Sequence, residues 1–123
     1  MAGGMEFDRQ KLKELVLHLA QASAAADDQG FGMVKLNKLL YRADFEGFRL
    51  LGRSITGERY MKQEFGPVAY DLLIVLDDLA AEGRMTWRLL QAGPYTRKVP
   101  TARGREDDQP DMALFAAAEN ICM

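Results

Sequence analysis

The chain has 123 residues, 48% of them hydrophobic, which is enough for one packed core and too little for a two-domain enzyme. Sixteen Lys and Arg against eighteen Asp and Glu give a net charge of -2, so no global positive field draws it to nucleic acid. One cysteine and one histidine exclude an intrachain disulfide and a zinc cage, and with no apolar run of about 18 residues and no signal-peptide core in "MAGGMEFDRQ", the chain is expected to be cytoplasmic.

Residues Asp8 to Ala26 carry Leu12, Leu15, Val16 and Leu19 on one helical face, with Asp8 placed to cap the start. Alanines follow, and Gly30 and Gly32 break the pattern, with fraying expected near Asp27. A stronger helix is expected over Met33 to Leu51. Leu36, Leu39, Leu40, Ala43, Gly47, Leu50 and Leu51 share its core side, and Gly52 stops it. The small Ala43 and Gly47 predict close approach by another helix, which makes this the central helix of the fold.

Turn formers Ser54, Thr56 and Gly57 then lead into an extended segment in which Tyr60, Lys62 and Glu64 alternate with Met61, Gln63 and Phe65. "GPVAYDLLIVLDDLAAEG" predicts a helix with Pro67 in its first turn, Gly83 at its end, and Val68, Leu72, Val75, Leu76 and Leu79 inside. Arg84 to Val99 predicts an antiparallel hairpin turning at Gly93 and Pro94. The charged stretch "PTARGREDDQP" reads as a loop, and a last helix is expected from Asp111 through Met112, Leu114, Phe115, Ala118 and Ile121. The fold class is α+β, mainly α: a compact helical domain over 1–123 around a central helix, with a small antiparallel β-sheet or hairpin.

Catalytic patterns do not emerge. There is no GxGxxG, P-loop or GxSxG, and nothing calls for a cofactor or metal. His18, on the edge of a helical face, reads as a boundary residue, and the doublets Asp27/Asp28, Asp77/Asp78 and Asp107/Asp108 read as solvated surface. The central helix offers more. Lys35, Lys38, Arg42 and Arg49 fall within a narrow arc away from the apolar side, either a solubilising face or a docking strip for an acidic partner or a phosphate backbone. Asn37, Tyr41, Asp44 and Phe48 run along its flank, either a hydrogen-bonded boundary layer or the floor of a groove.

"KLNKLLYRADF", "GRSITGERY" and "FGPVAYDL", in that order, resemble the Panacea domain, also called the SocA-like or phage-associated GepA-like family of bacteria and phages. Lys35, Leu36, Lys38, Leu39, Tyr41, Ala43, Thr56, Gly57, Tyr60, Gly66, Pro67 and Val68 stand at the matching positions, closely over Val34 to Gly83. The resemblance implies an antitoxin: a non-enzymatic protein that binds a cognate protein toxin. It also implies an adaptor role, handing the toxin to a AAA+ protease such as ClpXP. Family members usually continue into a further closing element with a Ser/His-containing ending. Either the sequence is a truncated member or that element is absent, and its absence would leave apolar surface exposed or shared in a homodimer. Lys35, Lys38, Tyr41, Arg42, Asp44, Phe48 and Arg49 are the expected partner contacts. Membrane and nucleic acid are not expected partners. A winged-helix-like DNA-binding regulator, using the basic stripe and the Arg84 to Val99 hairpin, is the alternative, and an enzyme has least support.

Overall fold

In the computed structural model, residues 6–103, 108–116 and 119 are described. They form α1 (Arg9–Ala25), α2 (Met33–Leu51), β1 (Tyr60–Gln63), β2 (Gly66–Ala69), α3 (Leu72–Ala81), β3 (Met85–Ala92), β4 (Tyr95–Ala102) and a 3-10 turn at Met112–Leu114. Three helices and two separate antiparallel hairpins, β1–β2 and β3–β4, make a helix-rich α+β fold, as the sequence implies.

The Asp8 carboxylate accepts the Lys11 N–H at 3.0 Å and so caps α1. Its Leu12, Leu15 and Val16 meet Leu36 and Leu40 of α2 and Leu72, Val75, Leu76 and Leu79 of α3 in one core, closed by Ile55, Met85, Val99 and Phe115. α2 begins and ends where its residue pattern predicts, and Gly52, at φ 74°, donates its N–H to the Phe48 carbonyl. Its buried arc differs in detail. Leu36, Leu40, Ala43 and Gly47 face the core, Leu50 is exposed, and Asn37 and Asp44 extend the buried side. At Gly47 the close neighbour is no helix but the returning backbone at Arg53 and Ile55: a methyl group added there would lie 2.7 Å from the Arg53 carbonyl oxygen.

The Gly-Pro step departs from expectation. Gly66, Pro67 and Val68 lie in β2, paired with Gln63, Lys62 and Met61, and α3 starts only at Leu72. The two-residue turn Glu64–Phe65 is followed by Gly66 at φ 124°, a conformation that disfavours any side chain. Pro67 lacks an N–H and suits a strand with a free edge. The edge of β2 is met by α2 instead of a third strand: the Asn37 side-chain oxygen accepts the Ala69 N–H at 2.7 Å. A Gly-Pro pair suits a helix start or a hairpin equally well, and these long-range contacts decide for the hairpin.

The second hairpin turns at Gly93 and Pro94 as expected, and β4 continues past Val99 through Pro100 to Ala102. Of the last helix, the residues described at its expected start form a 3-10 turn at Met112–Leu114, after which Phe115 is extended and buried. Ala118 and Ile121 lie outside the described residues. The preceding Asp111 N–H is tied to the Glu14 carboxylate of α1 at 2.9 Å, which anchors this turn to the body of the fold.

Candidate protein-docking face

The segment between α2 and β1 has no regular structure, so its backbone donors need partners from elsewhere. Asp44, buried on α2, supplies them. One carboxylate oxygen accepts the N–H groups of Ile55 and Thr56 at 2.9 and 2.8 Å, and the other accepts the hydroxyls of Thr56 and Tyr60 at 2.7 and 2.6 Å. Burial and the facing Asp44 carboxylate push the Tyr60 hydroxyl well above the usual phenol range, so it remains a donor. The Thr56 oxygen in turn accepts the Glu58 N–H at 3.1 Å. Glu58 accepts the N–H groups of Arg59 and Asp71, and burial together with the neighbouring Asp71 side chain pushes its carboxyl up to about 7. These bonds are all internal to the chain. They clasp the β1–β2 hairpin against α2.

The clasp positions an outer face. Passing around α2 from the clasped side, Val34, Tyr41, Phe45 and Phe48 come next, each roughly half exposed, and beyond them lie Lys38, Arg42 and Arg49. Tyr41 links the two layers: its ring stacks on Phe45 at 6.2 Å and meets the Tyr60 ring edge-on at 5.3 Å. The hairpin adds exposed Met61 and Phe65, the latter 71% exposed at the turn, and the entry to α3 adds Tyr70, Leu73 and Ile74. Two open clefts run along the junction of helix and hairpin. One, of about 360 Å³, is lined mostly by apolar groups from Val34, Met61, Phe65, Tyr70 and Leu73. The other, of about 560 Å³, lies between Tyr41, Tyr60, Lys62, Glu64 and Pro67. Interaction surfaces are commonly built from exposed aromatic clusters of this kind, which makes this face the candidate.

The expected contact residues divide between these layers. Lys35, Lys38, Tyr41, Arg42, Phe48 and Arg49 are exposed, while Asp44 is turned inward with both oxygens occupied by the clasp. Lys35 is paired with Asp28 and Arg49 with Glu46, so the basic stripe is partly neutralised; Lys38, Arg42 and Lys62 have no ion-pair partner among the described residues. The other motif positions are structural. Leu36 is core, Leu39 packs against it, Thr56 and Tyr60 hold Asp44, Gly57 lets the Glu6 backbone approach, and Gly66, Pro67 and Val68 form β2. Phe45, Phe65, Tyr70 and Leu73 were not among the expected contacts. Phe45, four residues from Tyr41 on the same helix, was recoverable from spacing alone; the others depend on where the hairpin packs.

Residues 36–95, just under half of the chain, match the family model described as Antitoxin SocA-like, Panacea domain. The resemblance read from the sequence is thereby shown for this segment, which runs from within α2 through the first hairpin to the first residue of β4 and includes the whole Asp44 clasp. No curated protein and no solved structure matches the chain. Among the described residues no helix is long and apolar enough to cross a membrane.

Proposed function

We propose that the chain is an antitoxin that acts in the cytoplasm by binding a cognate toxin directly, with differential affinity in place of catalysis. The observation that carries this reading is the row of half-exposed aromatics on α2, the helix on which the antitoxin-family match begins. Tyr and Phe supply large contact areas at small entropic cost, and nearby Arg42 adds a directional charge, the usual composition of binding hot spots. Masking the toxin would suffice for neutralisation. Delivery of the toxin to a AAA+ protease is the extended form of the same proposal. The DNA-binding alternative is disfavoured because Lys35 and Arg49 are engaged with carboxylates, Arg97 donates to the Gln29 carbonyl, and Lys98 lies over the Trp87 ring.

Co-expression with the product of the neighbouring gene tests the reading. That product alone should arrest growth, and this chain should restore growth and co-purify with it. A harmless neighbour, or arrest that persists when both are present, would overturn the proposal. Reversing both Lys38 and Arg42 to Glu should weaken the complex by about tenfold or more, as expected when attraction becomes repulsion at an interface.

A further inference from the structure

We infer that the outer face of α2 takes an amphipathic helix of the partner, apolar along one side and acidic along the edge that meets Lys38 and Arg42. This rests on the protein-binding reading above and specifies the chemistry of the segment bound.

The spacing comes first. Val34, Lys38, Tyr41, Phe45 and Phe48 follow one another at intervals of four, three, four and three, the alternation by which one helix presents a seam to another. This row spans about 21 Å at 1.5 Å per residue. Its apolar members are each roughly half exposed, so the seam is formed but uncovered. A strand or an irregular loop would have no reason to match a period of three and four; a helix in a groove reads out that period.

The walls decide the rest. On one side the Glu64–Phe65 turn of the hairpin stands beside the seam and carries exposed Phe65, while the aliphatic stem of Lys38 lies over Gly66. The opposite side carries Arg42 and the hairpin carries Lys62; neither these nor the Lys38 ammonium has an ion-pair partner among the described residues. Of the carboxylates nearby, Asp44 is turned into the clasp, Glu46 is held by Arg49 at 2.8 Å, and Glu64 lines the cleft with Lys62 at the hairpin turn. A bound helix therefore meets an apolar floor and cationic flanks. Carboxylates on its edge would turn those cations into attraction. Antiparallel pairing of two copies through this face would instead set cation against cation, so charge selects a partner over a second copy.

The test uses the full chain and two designed helical peptides of about 18 residues. Both carry leucines at alternating spacings of three and four; one is flanked by glutamates, the other by lysines. Fluorescence anisotropy should show the glutamate peptide binding about tenfold or more tightly than the lysine peptide. Its affinity should fall several-fold between about 0.05 M and about 0.3 M salt. Phe45→Ser and, separately, Phe48→Ser, each checked for retained folding by circular dichroism, should lose the peptide. Equal binding of the two peptides, or binding unchanged in both folded variants, would overturn the inference. A chain that sediments as a dimer and becomes monomeric on Phe45→Ser would also overturn it, since the occupant would then be a second copy. If the neighbouring toxin is neutralised by the unaltered chain and equally by both serine variants, the antitoxin reading stands and this site falls. If the unaltered chain fails to neutralise while the glutamate peptide behaves as expected, the groove stands and the antitoxin reading falls.

Discussion

Asp44 satisfies two backbone N–H groups and two hydroxyls with a single buried carboxylate, and no other side chain among the described residues accepts bonds from both Ile55 and Thr56 N–H. Removing it does more than delete four favourable contacts. It leaves four donors in a region from which water is largely excluded, and each such orphan costs about 1–3 kcal/mol. Asp44→Ala is therefore expected to lose at least about 3 kcal/mol of stability in urea unfolding, whereas Tyr60→Phe, which deletes one donor and strands none, should lose about 1 kcal/mol. Equal losses would show that the clasp is not centred on Asp44. The sequence places Asp44 on the flank of a helix beside Tyr41, and that much is correct. Helical spacing gives a residue its direction and says nothing of what lies there. From the sequence Asp44 reads as part of a hydrogen-bonded boundary layer or of a groove floor, and the returning chain at Ser54 to Gly57, which packs against it, decides for the first.

Among the elements, α1, α2 and the β3–β4 hairpin are legible because each carries its own evidence: a cap, a period and a turn. The β1–β2 hairpin is not, because Gly66 and Pro67 suit two local structures and the choice is made by pairing with Tyr60–Gln63 and by Asn37. The same dependence governs Gly47. In an isolated helix, alanine would be better than glycine by about 1 kcal/mol. In the fold an added methyl would lie 2.7 Å from the Arg53 carbonyl and 3.2 Å from Ile55 Cγ1, and the first of these is backbone that the Asp44 clasp holds nearby. Gly47→Ala is therefore expected to reverse the propensity gain and destabilise the chain by about 1–3 kcal/mol, the usual range for overpacking. Thermal unfolding measures the sign. A stabilised variant would mean that the Arg53 to Ile55 segment can move away from α2 freely.

At the scale of the whole molecule, buried carboxylates work in opposite directions with pH. Burial alone would raise Glu14, but the Arg84 guanidinium bonds it at 2.8 and 2.9 Å and Asp111 N–H adds another, so its carboxyl is held below the usual range. Burial likewise opposes the lowering of Glu119, and Lys11, the Ala116 N–H and Arg53 outweigh it. Both groups lie outside the matched segment and pin the flanking chain to it: Glu14 joins α1 to Arg84, and Glu119 joins the C-terminal region to α1 and Arg53. Their contribution is present above the ordinary value of 4.5 and is lost as pH falls through their depressed values. Glu58 behaves in the opposite sense. Raised from 4.5 to about 7, it binds its proton more tightly in the folded chain. Its contribution is complete below 4.5 and declines as pH rises towards 7, a loss on the order of 3 kcal/mol at 1.36 kcal/mol per unit. Stability measured by urea unfolding should therefore fall towards acid, peak near pH 5 and decline again up to about pH 7, levelling off above it. Glu58→Gln keeps a neutral acceptor for the Arg59 or Asp71 N–H and has nothing to titrate, so the decline on the alkaline side should disappear while the acid limb remains. A variant that retains the full decline between about pH 5 and about pH 7 would place its origin in another group and leave Glu58 with a purely structural part in joining β1 to the start of α3.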